Sequence, residues 1–241
     1  MRIYKYRKVT PGNAEEMLRL KSLILSGRVW CARPDTLNDP DEFAWTCDYS
    51  ETPDTAGLLA SLLEEIRGRP GSQAFQMARV LLDGRDLESV VAPIITDTIR
   101  RCRDIVGIAC FGTSPDNETL WQRYAGDGSG VCVEIDVPDA LLGAQLHRVV
   151  YSDNRQLHID GFIRARNELD YAAGHFATLL SKSLTWAPEE EVRFLSNTQN
   201  IEVLLDGSRV TCVILGPHIP AAISDQVRQV VGGIPVKRAM I

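Results

Sequence analysis

Three consecutive carboxylates occupy the centre of the segment Thr185-Trp186-Ala187-Pro188-Glu189-Glu190-Glu191-Val192-Arg193-Phe194-Leu195. The apolar run after them predicts a buried strand. If that strand begins at Glu189, alternation places Glu189, Glu191 and Arg193 on one face. That composition is unusual for a strand entering a core, because an unpaired buried charge costs several kcal/mol. Either Glu191 and Arg193 form an ordinary ion pair at a solvated sheet edge, or both carboxylates line a cleft where Arg193 keeps the inner one ionised.

Length and composition limit the classes to which the protein can belong. The chain has 241 residues, of which 44% are apolar and 24% are charged, so it can bury a full core, and we expect a single domain over 1–241. A net charge of −6 argues against a protein whose main role is to coat phosphate backbones. A local basic patch stays compatible with this total, so nucleic acid is not excluded as a partner.

The first residues and the absence of long apolar runs bear on location. Met1 to Arg7 reads as a polar strand and not as an apolar signal segment. No run approaches the roughly 18 apolar residues of a membrane span. We therefore expect a cytoplasmic protein without a membrane partner.

The cysteines and histidines show no metal-binding pattern. The six cysteines form no C-x-x-C pair, and several lie within apolar strands, as Cys110 and Cys132 do. Such thiols are typical of a core, where free cysteine behaves as a small hydrophobic residue. We expect no structural metal.

Periodicity predicts an α+β protein with a mixed or split central sheet and flanking helices. A helix capped by Asn13 and ended by Gly27 follows the first strand, and a helical insertion over 54–102 follows the second. In that insertion Pro93 should bend or start the last helix. A long helix is predicted over 159–182. Two strands around Asp206-Gly207 predict a hairpin of Ile201–Leu205 with Thr211–Leu215.

Several short motifs resemble, in the same order, a bacterial family, the domain-of-unknown-function family 2971. They are Tyr4-Lys5-Tyr6-Arg7, Leu37-Asn38-Asp39-Pro40-Asp41-Glu42, Cys110-Phe111, the segment from Trp121 to Ala125, Gly130-Val131-Cys132-Val133-Glu134, and the segment from Trp186 to Arg193. The match covers nearly the whole chain. Two positions depart from the family pattern: Gly112 replaces the usual serine, and Arg123 replaces the usual histidine. By analogy, many small bacterial domains of this type act in toxin or phage-defence settings.

The same skeleton is similar to a distant version of the ADP-ribosyltransferase plan. In that plan an early strand supplies a basic residue, a middle strand ends in hydroxyl or aromatic residues, and a late strand opens with Glu-x-Glu. The resemblance implies an NAD-dependent ADP-ribosyltransferase or NAD glycohydrolase. Its catalytic residues would be Glu191, which would stabilise the ribose cation, and Glu189, which would orient the nucleophile. The NAD-binding residues would be Arg7, Tyr6, Tyr124, Trp121, Ser114, Asn38 and Asp39.

Within this scheme Arg7 would clamp the pyrophosphate, and Tyr124 or Trp121 would stack on the nicotinamide ring. We therefore expect Arg7, Tyr124 and Glu191 to converge on one pocket. Asn38 and Asp39 would hold the ribose or adenine, or shape the rim. The acceptor of ADP-ribose and the oligomeric state are left open.

Two alternatives use the same residues differently. Clustered carboxylates at Asp39, Glu42, Glu189 and Glu191 could hold a magnesium or manganese ion for phosphodiester cleavage. Arg193 beside the acids weighs against this reading. The other alternative is a module without catalytic activity whose charged face binds another protein.

Overall fold

The computed structural model describes residues 1–39, 46–50, 52–55, 57–58, 79, 84, 87–154, 156–161 and 177–240. These residues confirm the predicted α+β class. They group into two compact units. The first consists of Met1–Leu37, Val106–Tyr151 and Ser183–Ile241, and the second of Asn38–Ile105 and Ser152–Lys182. The predicted insertion over 54–102 falls in the second unit, and more than half of it lies outside the described residues.

The strands are β1 (Arg2–Arg7), β2 (Arg28–Cys31), β3 (Thr46–Asp48), β4 (Gly107–Phe111), β5 (Val131–Asp136), β6 (Leu146–Arg148), β7 (Val150–Tyr151), β8 (Gln156–His158), β9 (Ser181–Lys182), β10 (Val192–Ser196), β11 (Ile201–Leu204), β12 (Arg209–Leu215) and β13 (Val236–Arg238). The helices are α1 (Ala14–Ser26), α2 (Leu87–Ile105), α3 (Glu118–Tyr124), α4 (Ala177–Leu179) and α5 (Ala221–Val231). Three short 3-10 helices cover Pro34–Thr36, Asp139–Leu141 and Leu184–Glu189. No helix among the described residues is long and apolar enough to cross a membrane.

The two larger sheets of the first unit meet at strand ends. One sheet has the order β1-β5-β12-β13, with β12 and β13 parallel and the other pairs antiparallel. The other has the antiparallel order β4-β10-β6. Tyr4 and Gly112 exchange two backbone hydrogen bonds of 3.0 and 2.8 Å. This bridge places β1 beside the end of β4.

Alternation along β1 separates an apolar face from a mixed face. Tyr4 and Tyr6 pack in a cluster with Trp121 of α3. Ile3 points to the opposite side and packs in the main core, which also contains Leu20 of α1. Lys5 and Arg7 follow Ile3 at every second position, so β1 carries two basic side chains toward that side.

Helix α1 begins and ends where the sequence predicts. The Asn13 side chain accepts the Glu16 N–H at 3.2 Å, and the Glu16 carboxylate accepts the Thr10 N–H at 2.6 Å. Gly27 ends the helix in the left-handed region at φ 63°, where a side chain would be strained.

The apolar run from Val192 forms the predicted buried strand, but that strand does not extend back to Glu189. A 3-10 helix runs through Glu189, Glu190 adopts the left-handed region at φ 46°, and the strand begins at Val192. A strand pattern cannot foresee a left-handed glutamate, because non-glycine residues rarely adopt that conformation. The turn nevertheless leaves Glu189 and Glu191 buried and Glu190 exposed.

The predicted hairpin is also wrong. β11 pairs with β2, whereas β12 pairs with β5 and β13. The loop at Asp206-Gly207 therefore passes between two sheets. An Asp-Gly turn specifies local backbone geometry but does not select the partner of each strand.

The second unit contains the parallel pair β3 and β8 and helix α2. Pro93 lies inside α2 and does not start it, because the helix begins at Leu87. The predicted helix over 159–182 ends early, since Leu179 closes α4 and Ser181–Lys182 is strand β9. Its central residues, 162–176, lie outside the described residues.

Candidate functional site

The acidic turn before β10 fixes two carboxylates inside the first unit and leaves one outside. Glu189 is 1% exposed and Glu191 is 4% exposed. The left-handed Glu190 turns its side chain outward, where its carboxylate accepts a hydrogen bond from the Thr113 hydroxyl at 2.8 Å. The triplet thus contains two buried acids and one exposed acid.

Glu189 is held by two donors from the end of α3. Its Oε1 accepts the Tyr124 hydroxyl at 2.9 Å and the Arg123 guanidinium at 3.0 Å. Arg123 also lies over the Trp186 ring, 4.4 Å from its centroid. Burial, followed by the charge of Glu189, raises the pKa of Tyr124, so the phenol keeps its proton and donates a hydrogen bond to the carboxylate.

Glu191 forms an ion pair with Arg193 inside the protein. The two oxygens of Glu191 accept hydrogen bonds from Nε and from a terminal nitrogen of Arg193, at 2.7 and 3.4 Å. Arg193 is 0% exposed. The backbone N–H of Glu191 donates to the Tyr151 hydroxyl at 2.7 Å. Burial and the charge of Glu191 raise the pKa of Cys110, which pairs with Arg193 across β4 and β10. Of the two readings from sequence, the solvated edge pair is therefore wrong.

Asn117 connects the acidic turn to α3. Its Oδ1 caps the helix by accepting the Leu120 N–H at 3.1 Å, and its Nδ2 donates to the Pro188 carbonyl at 2.7 Å. One side chain therefore fixes both the helix that carries Tyr124 and the turn that carries Glu189. The N-cap was predictable from sequence, but its second contact was not.

Lys5 and Arg7 of β1 have different charged neighbours. The charged neighbours that shift the pKa of Arg7 are Arg19, Glu202 and Glu16. Those that act on Lys5 include Arg7 and Glu191. Glu191 is therefore among the charges that act on the pKa of Lys5, and the expected convergence of Arg7, Tyr124 and Glu191 stays a prediction. Lys5 follows the same alternation as Arg7, so the sequence contained a signal for it.

Three predicted NAD-binding residues belong to a packed cluster under α3. Trp121 is 1% exposed, and its ring meets that of Tyr6 edge-on with centroids 5.2 Å apart. The indole donates to the Pro115 carbonyl at 2.8 Å, and the Tyr6 hydroxyl donates to the Ser114 carbonyl at 2.6 Å. This arrangement favours a packing role for Trp121 and Tyr6, while Tyr124 is only half-buried.

Asn38 and Asp39 belong to the second unit, and Asp39 is 4% exposed. Glu42, which the metal alternative requires, lies outside the described residues. Among the residues that the structure describes, no group of three or more His, Cys, Asp or Glu side chains is arranged to hold a metal ion.

In the second unit, the side chain of His158 lies between those of Ser50 and Asp160. The Ser50 hydroxyl lies 3.4 Å from Nε2 of His158, and Nδ1 lies 3.5 Å from the Asp160 carboxylate. However, Nδ1 accepts the Asp160 N–H at 3.2 Å, so the proton of a neutral ring resides on Nε2. A nucleophilic serine needs Nε2 as a base, so this arrangement does not have the hydrogen-bond direction of a catalytic triad.

A groove of about 480 Å³ lies between α1 and α5 of the first unit. Its lining residues are Thr10, Gly12, Asn13, Ala14, Met17, Lys21, Gln226, Gln229 and Val230. None of the predicted site residues lines this groove.

Comparisons of the chain with protein-family models, with curated proteins and with solved structures found no match. The resemblances to family 2971 and to the ADP-ribosyltransferase plan stay predictions.

Proposed function

We propose that this chain binds NAD and breaks the bond between nicotinamide and ribose, passing ADP-ribose to an acceptor or to water. The observation that carries the proposal is that the acidic turn holds two buried carboxylates in fixed orientations. The Tyr124 hydroxyl donates a hydrogen bond to Glu189, and the Arg193 guanidinium donates to Glu191. Two oriented carboxylates therefore lie two residues apart in one turn, and one of them contacts a half-buried aromatic side chain.

This arrangement suits a reaction that passes through a sugar cation. Cleavage of a glycosidic bond builds positive charge on the ribose, and a fixed carboxylate stabilises that charge more in the transition state than in the ground state. Because donors already orient Glu189 and Glu191, little reorganisation is needed when the charge forms. A catalytic role therefore explains why hydrogen-bond donors fix the orientation of both carboxylates.

The residues take distinct roles in this proposal. Glu191 accepts a hydrogen bond from the ribose 2′-hydroxyl and offsets the growing positive charge. Glu189 orients or deprotonates the incoming nucleophile. Tyr124 stacks on the nicotinamide ring, since Trp121 is packed in the core. The bond between ribose C1′ and the nicotinamide nitrogen breaks, its electrons leave with nicotinamide, and the nucleophile bonds to C1′.

The test measures nicotinamide release from NAD by the wild type and by Glu191→Gln and Glu189→Gln. Each variant keeps the shape of the side chain but loses its charge, so we expect a loss of about 100-fold in rate or more. Glu190→Gln is the matched control, because the same change falls on the exposed acid of the triplet. Its rate should stay close to that of the wild type.

Binding and rate must be separated in this experiment. Calorimetry with NAD should give similar affinities for the wild type and Glu191→Gln, because the carboxylate acts mainly in the transition state. The proposal fails if the wild type neither binds NAD nor releases nicotinamide, or if Glu191→Gln releases it at the wild-type rate. Phosphodiester cleavage that EDTA abolishes would instead support the metal-dependent alternative.

A further inference from the structure

The carboxylate of Glu189 is covered by its own hydrogen-bond donors. Glu189 is 1% exposed, and its Oε1 accepts the Tyr124 hydroxyl at 2.9 Å and the Arg123 guanidinium at 3.0 Å. A carboxylate oxygen has two lone pairs, so both acceptor positions of Oε1 are filled. This oxygen can orient an incoming nucleophile only after one of the two donors has left it.

The two donors differ in how firmly they are held. Tyr124 is half-buried, whereas the side chain of Arg123 is 42% exposed. Water and salt reach the Arg123 end of its ion pair, which weakens that pair relative to the fully buried pair of Glu191 with Arg193. Arg123 is therefore the donor that can leave Glu189 at the lower cost.

A second contact holds Arg123 in this closed position. Its guanidinium lies over the Trp186 ring, 4.4 Å from the centroid, where the ring face attracts a cation. Trp186 belongs to the 3-10 helix Leu184–Glu189, which also carries the acid. One turn of the chain therefore supplies both contacts of Arg123, an aromatic face and a carboxylate.

We propose that Arg123 is a gate on Glu189, and that its guanidinium swings away before an acceptor or water is oriented by that carboxylate. This inference rests on the proposed function and adds a regulatory step to it. Sequence analysis gave Arg123 no role. In the closed state Glu189 cannot direct water toward the ribose, so the rate of that step is proportional to the fraction of molecules in which the gate is open.

The experiment measures how accessible each glutamate of the triplet is. Carboxylates are coupled to glycine ethyl ester with a carbodiimide, and mass spectrometry reads the label on each residue. Glu190 is exposed and Glu191 is 4% exposed beside Arg193, so they serve as internal standards for an open and a closed acid. Wild-type Glu189 should be labelled about tenfold more slowly than Glu190. In Arg123→Ala the label on Glu189 should form about fivefold faster or more, while that on Glu191 is unchanged.

A conservative variant and a change of salt test the same gate. Arg123→Lys keeps the charge but loses the flat guanidinium, so its Glu189 should be labelled at a rate between those of the wild type and Arg123→Ala. In the wild type, raising sodium chloride from about 0.05 to about 1 M should raise the ratio of Glu189 to Glu190 labelling about twofold, because salt screens the half-exposed pair. The ratio of Glu191 to Glu190 should stay constant.

Two results would overturn the gate. One is a wild-type Glu189 that is labelled as fast as Glu190. The other is a ratio of Glu189 to Glu190 labelling that neither Arg123→Ala nor salt changes. If Glu191 in Arg123→Ala is labelled faster together with Glu189, the variant has lost its fold, and the salt series on the wild type decides the question.

Nicotinamide release separates this inference from the proposed function. With NAD and water alone, Arg123→Ala should release nicotinamide about threefold faster than the wild type, because water reaches Glu189 in more of the molecules. Protection of Glu189 that depends on Arg123, in a protein that does not cleave NAD, keeps the gate and removes the function. Equal rates of NAD cleavage in the two proteins remove the gate and keep the function.

Discussion

The acidic turn before β10 and the basic residues of β1, Lys5 and Arg7, differ in whether their charged side chains have bonded partners of opposite charge or side-chain donors. In the turn, each of the three glutamates accepts a hydrogen bond from a side chain of another residue, from Tyr124, Thr113 or Arg193. On β1, the half-buried Lys5 and Arg7 form no ion pair with a carboxylate of the described residues. The acids of the turn therefore have side-chain donors within the chain, whereas the two cations of β1 lack a directly bonded carboxylate in the part of the chain that the structure describes.

This difference predicts opposite effects of removing a charge in the two regions. Taking a charge from a closed ion pair leaves its partner buried and unpaired, which destabilises the protein. Taking a charge from a buried cation that lies beside another cation relieves desolvation and repulsion. Measurements of stability can therefore separate a charge that its neighbours stabilise from one that they destabilise.

The largest expected effect follows from Arg193→Met. It removes the buried ion pair of Arg193 with Glu191, which is 4% exposed, and should lower the free energy of unfolding by about 3 to 5 kcal/mol. Urea denaturation of both proteins at pH 7 measures the difference.

Two controls accompany this variant. Arg33→Met opens the exposed pair of Arg33 with Asp35, and should cost less than about 1 kcal/mol. Adding Glu191→Met to Arg193→Met removes both charges and should recover much of the loss. Equal losses in Arg193→Met and Arg33→Met would show that burial does not govern the pair.

The second prediction concerns Lys5 and has the opposite sign. Burial and the charge of Arg7 lower the pKa of Lys5 from 10.5 to about 8, although Cys110, Glu191 and Cys31 oppose the shift. The folded protein therefore holds the Lys5 proton less tightly than the unfolded chain does. Below pH 8 both states are protonated, and the buried ammonium costs about 3 kcal/mol. Lys5→Met should consequently be more stable than the wild type at pH 7.

The pH dependence of the stability difference tests whether the lowered pKa of Lys5 is its cause. Between pH 8 and pH 10.5 the folded protein has lost this proton and the unfolded chain still binds it, so wild-type stability rises by about 1.4 kcal/mol per pH unit relative to Lys5→Met. The advantage of the variant should therefore shrink by about 2 kcal/mol from pH 8 to pH 9.5. Lys8→Met, at an exposed position, should follow the wild type. A constant difference between wild type and Lys5→Met across this range would contradict the assignment.

Local signals predicted the parts of the fold that local contacts determine. The Asn13 cap and the Gly27 end of α1 both lie where the sequence places them. In both cases the deciding interaction joins residues within a few positions of one another, so spacing alone carries the information.

Long-range pairing and rare backbone conformations could not be predicted in this way. The partner of β11 is β2, which lies about 170 residues earlier in the chain, and no turn residue encodes that choice. Glu190 is left-handed because the turn around it requires that conformation, not because glutamate prefers it. At the site, sequence predicted that Glu191 and Arg193 share a face, but it could not show that their ion pair is buried.

The smallest expected effect tests how firmly the acidic turn is anchored. Asn117→Ala removes both the cap of α3 and the bond to the Pro188 carbonyl, and should cost about 1 kcal/mol of stability. Asn117→Asp keeps an acceptor for the cap but has no N–H to donate to Pro188. Asp should therefore restore most of the stability while nicotinamide release stays reduced in both variants, because the turn that carries Glu189 has lost its anchor. Full recovery of the rate in Asn117→Asp would mean that Asn117 serves the helix alone and does not position the acids.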